Sequence, residues 1–171
     1  RWVYKQFKDL PSLDQKLTKW NDLYKTVINN KTPNTHDIML GLIDYIKILP
    51  RENQLELVNK LLADDKLPEK YVLKMKPYII DTHLIKEYQF SEMERKNYYL
   101  KMFDLFSETN RKDLLKDITK LSGPYITDVF SAISSKVDQE TREILAKSVR
   151  YQYRYEAQWQ EAVDALYGKN K

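Results

Sequence analysis

The chain lacks cysteine altogether and carries only three glycines and two histidines in 171 residues. Each shortage removes a kind of chemistry. Without cysteine there are no disulfides and no thiolate metal ligands. The compartment stays open, because reducing and oxidising locations both tolerate cysteine-free chains. Gly41, Gly123 and Gly168 stand alone, so no glycine-rich run can wrap a phosphate in successive backbone N–H groups. Ser107, Ser122, Ser131, Ser134, Ser135 and Ser148 all sit outside the glycine-flanked elbow that an exposed serine nucleophile requires. Asp64-Asp65 lacks the alternating oxygen ligands and central glycine of a calcium loop.

Long apolar runs are also missing, and none approaches the roughly 20 residues of a transmembrane helix. Nor does one sign of charge dominate. The 29 basic and 25 acidic residues are interleaved and leave a net charge of +4. A dedicated nucleic-acid binder usually carries a basic stripe instead. The first residues, Arg1-Trp2-Val3-Tyr4, include neither an initiator Met nor a signal-like apolar stretch, so the chain reads as a processed or trimmed product.

The histidines are read as ordinary helix residues. His83 and Glu87 are spaced to share a helix face, with Asp81 near in sequence, but a metal needs three or four ligands and no second such pair exists. His36 precedes Asp37 where a helix should begin, and Asp37 suits the positive end of that helix dipole. No catalytic residue, cofactor or metal is expected.

What remains is apolar and charged material with helical spacing. The apolar share is 42%, sufficient for a core, and tyrosine is its unusual contributor with 13 residues. A tyrosine buries its ring while its hydroxyl needs a partner, which predicts half-buried helix seams or interfaces. Lysine (22) far outnumbers arginine (7), a mixture that fits an AT-rich coding sequence.

Ser12 with Gln15 and Ser91 with Glu94 form capping-box patterns at helix starts. Pro50 and Pro68 suit first helical turns, where a missing N–H is harmless. Pro77 falls inside a continuing pattern and predicts a kink or break. Tyr78, Ile79, Leu84, Ile85 and Tyr88 are spaced for the helix after it. Leu114 to Leu121 mark a helix that stops at Ser122-Gly123-Pro124, and Asp138 caps a final long helix reaching about Tyr167, with Gly168 as its stop. Gly41, inside a helix, costs about 1 kcal/mol against alanine, which close approach of another helix would explain.

The expected fold is all-α. A single domain over residues 1–171 holds eight to nine short helices and a long C-terminal helix, as a helical bundle or an irregular α-solenoid. A faint repeat relates 42–68 to 99–124 at an offset of 57 residues, where Tyr45-Ile46-Lys47-Ile48-Leu49 meets Met102-Phe103-Asp104-Leu105-Phe106. Any two amphipathic helix pairs with a short joint would look similar; the sharper reading is a duplicated helical unit.

Surface work is expected from the last helix. Ile144, Tyr151, Tyr155, Trp159, Ala162 and Leu166 map to one face, with Lys147, Arg150, Arg154 and Gln158 roughly opposite and Tyr153 outside the apolar face. Aromatic and arginine residues are common interface anchors. Arg150, Tyr153, Arg154 and Gln158 are therefore the interface candidates of a non-catalytic protein–protein interaction module, meaning a subunit, adaptor or assembly factor. Two alternatives stand beside it. One is a bundle enclosing a fatty or other hydrophobic ligand lined by Met39, Met75, Met93 and Met102. The other is RNA binding by a helical repeat, disfavoured by Glu140, Glu143, Glu156 and Glu161 beside the aromatic and arginine residues.

Overall fold

The computed structural model describes residues 2–30, 32–81, 88–153 and 155–168, leaving aside the side chain of Gln152. Among these residues there are ten α-helices and no strand. They are α1 (Trp2–Phe7), α2 (Leu13–Asn29), α3 (Thr35–Tyr45), α4 (Arg51–Ala63), α5 (Glu69–Ile80), α6 (Glu92–Leu105), α7 (Glu108–Lys116), α8 (Gly123–Ile133), α9 (Gln139–Gln152) and α10 (Glu156–Leu166). Short 3-10 turns at Ile46–Ile48 and Ile118–Lys120 extend the sequence of helices. No described helix is long and apolar enough to cross a membrane.

The chain forms two compact units, Arg1–Tyr78 with Leu84–Gln89, and Ile79–His83 with Phe90–Lys171. In the first, α1, α2 and α3 pack on one another. Trp20, Leu42, Ile46, Leu57 and Met75 lie fully buried there, and Phe7 stacks on Tyr45 with ring centroids 4.0 Å apart. In the second, α10 packs on α8 and α9, while α6 packs on α7 and α8. Its core includes Tyr99, Phe103, Leu114, Ile126, Phe130 and Leu166.

Local chemistry starts these helices, with the full reciprocal box given at Ser91 and a one-way cap at Ser12. Ser12 accepts from the Gln15 amide at 3.2 Å, Ser91 and Glu94 complete a reciprocal capping box, and Asp138 accepts from the Thr141 amide at 2.8 Å. Helix ends are closed differently. A helix leaves its last four carbonyls without intrahelical partners, and here side chains from other segments donate to them. The Trp20 indole donates to Leu42 O (2.9 Å), the Tyr88 hydroxyl to Ile43 O (3.2 Å) and the buried Gln54 amide to Lys47 O (3.1 Å). In the second unit the Tyr99 hydroxyl donates to Leu114 O (2.5 Å), Arg111 to Phe103 O (2.8 Å) and the fully buried Arg95 to Ile79 O.

The offset of 57 residues relates helix bounds as well as residues. The helical stretch 35–48 corresponds to 92–105, and the start of α4 at Arg51 to the start of α7 at Glu108. Leu42, Tyr45, Ile46 and Leu49 are buried, as are Tyr99, Met102, Phe103 and Phe106. Leu49 and Phe106 each close a helix in extended conformation, one residue before the N-cap of the next.

Four expectations need correction. The long C-terminal helix is two helices, α9 and α10, separated at Tyr153–Tyr155, because Tyr153 leaves helical geometry (φ −90°, ψ 132°). Pro77 does not break its helix, since α5 runs on to Ile80 and takes in Tyr78 and Ile79. Tyr88 is not helical, and Leu84 and Ile85 lie outside the described residues. The helix count is ten among the described residues because α1 was not read and the last helix is split.

Gly41 answers its puzzle by close approach. A side-chain carbon placed there would lie 2.6 Å from Val3 Cγ2 and 2.9 Å from Val3 Cβ. Gly41→Ala therefore exchanges a helix-propensity gain of about 1 kcal/mol for an overpacking cost of about 1–3 kcal/mol. Urea unfolding should show a net loss of stability. Adding Val3→Ala should remove the clash, so that the double variant is more stable than the sum of the single effects requires.

Candidate functional site

The best-exposed apolar material in the second unit belongs to α9 and the corner that follows it. α9 buries Leu145 and Val149, whereas Ile144 (58% exposed) and Tyr151 (93%) face outward. Residues seven apart share a helix face, so these two form one strip about 10.5 Å long. Tyr155, 63% exposed, stands at the start of α10. The apolar face read for a continuous helix is thus divided. Ala162 and Leu166 are buried, Trp159 is half-buried, and Ile144, Tyr151 and Tyr155 are exposed.

The division follows from Tyr153. Its hydroxyl donates to Gly123 O, and its ring lies over Gly123, where an added side-chain carbon would meet Tyr153 Cε1 at 2.5 Å. Burial raises the pKa of that hydroxyl, keeping it a neutral donor. Gly123 is the first residue of α8, so the contact fixes the α9–α10 corner against the start of that helix.

The four sequence candidates therefore separate. Tyr153 is a half-buried joint. Arg150 is exposed at its helix and holds its guanidinium carbon 4.9 Å from the Trp159 ring centroid, a cation–π contact. Gln158 is exposed, and Arg154 lies outside the described residues. Sequence reasoning missed the other wall of the site. A groove of about 350 Å³ runs beside Ile144, floored by Leu115 and Leu145 and flanked by Lys112 and Lys116 from α7. Nothing in the local pattern of α7 indicates which segment it lies beside.

Other concave features belong to the first unit. Tyr4, Asp37, Asp44, Lys74 and Tyr78 line a polar groove of about 350 Å³ beside Gly41. The Tyr4 hydroxyl donates to Asp44 Oδ2 at 2.9 Å, and Lys47 Nζ lies 2.7 Å from Asp44 Oδ1. Burial and then the Asp44 hydrogen bond push Tyr4 up to about 12. For Asp44, burial opposes ionisation but is outweighed by hydrogen bonds from Lys47 and Tyr4, leaving its carboxyl below the usual range. The Nδ1 atom of His36 lies 3.2 Å from the Tyr71 hydroxyl. The His83–Glu87 pair lies outside the described residues, among which no three His, Asp or Glu side chains gather as metal ligands. Compared with protein-family models, curated proteins and solved structures, the chain matches none.

Three substitutions test these contacts. Tyr153→Phe should cost about 0.5–1.5 kcal/mol through its lost hydrogen bond, and Gly123→Ala about 1–3 kcal/mol through displacement of the ring, both read by urea unfolding. Above pH 10 the raised Tyr4 pKa has its own signature. Its contribution is fully present below pH 10 and is lost as pH rises towards about 12. Tyr4→Phe should therefore flatten the loss of stability across that window, measured by unfolding at a series of pH values.

Proposed function

We propose that this chain is a non-catalytic α-helical interaction module, a subunit, adaptor or assembly factor that meets a protein partner through α9 and the α9–α10 corner. One observation carries the reading: Ile144 and Tyr151 are exposed on one strip of α9, and Ile144 borders a groove that also takes in Leu115 and Leu145. Scattered exposed apolar residues are normal, but two on one helix strip with a groove beside one of them fit an interaction surface. Arg150 over Trp159 adds an aromatic–arginine pair of the kind that anchors interfaces. The matched stretches 35–48 and 92–105, with the matched starts at Arg51 and Glu108, support reading the scaffold behind this surface as a repeated helical unit.

The two alternatives draw less support. Met39 and Met75 are buried in the first unit, Met102 is buried in the second, and Met93 is 55% exposed, so neither unit by itself holds the four methionines as the lining of one ligand cavity. Exposed Glu140, Glu143 and Glu156 flank the exposed tyrosines and oppose the phosphates of RNA.

A photo-crosslinking residue in place of Tyr151, introduced in cells expressing the chain, should yield discrete protein adducts. The same probe at Ile48, 58% exposed in the first unit, should not. Adducts from position 151 should disappear with Ile144→Asp while the circular dichroism spectrum keeps its helical form. Identical adducts from both positions, or none from 151, would overturn the reading.

A further inference from the structure

A second groove in the first unit, of about 310 Å³, is lined from α2, from the start of α3 and from the segment that leads into α5. Its lining divides by chemistry. Val27 and Met39 are buried and Ile28 is half-buried, which gives the groove an apolar wall. Lys66 and Lys70 bring positive charge, and no Asp or Glu stands among its described lining residues.

The contacts these two lysines make within the chain leave their charge unneutralised. Lys66 Nζ lies 3.4 Å from Asn29 Oδ1, and Lys70 Nζ lies 5.1 Å from the Tyr71 ring centroid. Asp64 precedes Lys66 closely but is engaged elsewhere. Its Oδ2 accepts from the Tyr24 hydroxyl at 2.7 Å and its Oδ1 from the Lys66 amide at 2.9 Å. His36 and Tyr71 complete the polar side, with Nδ1 of His36 3.2 Å from the Tyr71 hydroxyl. Donation by Tyr71 to Nδ1 places the imidazole proton on Nε2, which is then a further donor.

Ammonium groups beside an apolar wall fit a ligand that carries both features. A negative group accepts charge-assisted hydrogen bonds from the lysines, and an apolar body removes the wall from water. Small-molecule sites run from about 300 to 1,000 Å³, so this groove suits a body about the size of one ring. An extended polyanion fits less well, because Asp37, Asp65 and Glu69 directly adjoin His36, Lys66 and Lys70 in the chain.

We infer that this groove binds a small organic anion, a carboxylate or phosphate ester on a body about the size of one aromatic ring. The site lies in the first unit and is independent of the α9 interaction reading.

Benzoate and phenyl phosphate are the probes, titrated into the isotope-labelled full chain and followed by amide NMR. Saturable shifts are expected at Thr35, His36, Lys70 and Tyr71, with a dissociation constant of about 1 mM or tighter for a probe of this size. Binding of either probe supports the inference, and the tighter one names the anionic group. Inorganic phosphate lacks the body and benzyl alcohol lacks the charge, so each should bind about tenfold more weakly or worse. The double variant Lys66→Gln/Lys70→Gln should weaken the tighter probe by about tenfold or more. Lys8→Gln, exposed in the same unit and outside the groove, should leave it unchanged. The comparison of the four ligands needs no variant, so it decides alone if the double variant does not fold. No saturable shift at these amides, binding indifferent to the double variant, or inorganic phosphate or benzyl alcohol matching the tighter probe overturns the inference.

Discussion

Buried helix ends are the constraint on which this structure depends. Ten helices among the described residues leave many terminal carbonyls. The common solution, a glycine in left-handed conformation just past the helix, is nearly absent: Gly168 alone has positive φ among the described residues. Side-chain donors take its place. Trp20, Tyr88, Tyr99, Arg95, Arg111 and Arg142 each reach across from another segment to a carbonyl at or near a helix terminus. Because an unmet buried carbonyl costs about 1–3 kcal/mol, these contacts set helix length and helix packing together. They also give a role to some of the tyrosines. A buried tyrosine contributes a large ring to the core and one donor to a neighbouring helix end, as Tyr99 does at Leu114.

This division of labour explains what the sequence made legible. N-termini were readable because their caps are local: Ser12, Ser91 and Asp138 satisfy amides three residues away. The core-facing positions of α3, α4, α6 and α8 were readable because apolar residues repeat at helical spacing. C-termini were less so, since their partners lie far along the chain. Tyr88 and Ile43 are 45 residues apart, and Tyr153 and Gly123 are 30 apart. Hence the split of the last helix went unseen: Gln152-Tyr153-Arg154-Tyr155 contains no glycine or proline to announce it. Pro77 misled in the opposite direction. It lies three residues from the end of α5, where few further helical bonds depend on the interrupted stretch.

The candidate site combines residues that the sequence singled out with others that it did not. Choosing the last helix followed from its aromatic and arginine content, and Arg150 and Gln158 are exposed there. Choosing the face required knowing where the helix breaks. Under a continuous helix, Ile144, Tyr151, Trp159 and Leu166 share one face; with the break, α9 and α10 bury separate sets. The α7 wall, with Lys112 and Lys116, has no sequence signal at all, because it is brought beside α9 by tertiary packing.

The joint at Tyr153 links stability to surface. α10 buries Ala162, Ala165 and Leu166 and packs on α8 and α9, while α9 buries Leu145 and Val149. Both packings are available at once because the chain turns at Tyr153, and the turn is possible because Gly123 has no side chain to obstruct the ring. Once both helices have buried these faces, Ile144 and Tyr151 remain 58% and 93% exposed. The exposed strip thus follows from how α9 and α10 divide their buried faces. A single glycine at the start of α8 therefore helps to hold the fold and determines which apolar residues face outward.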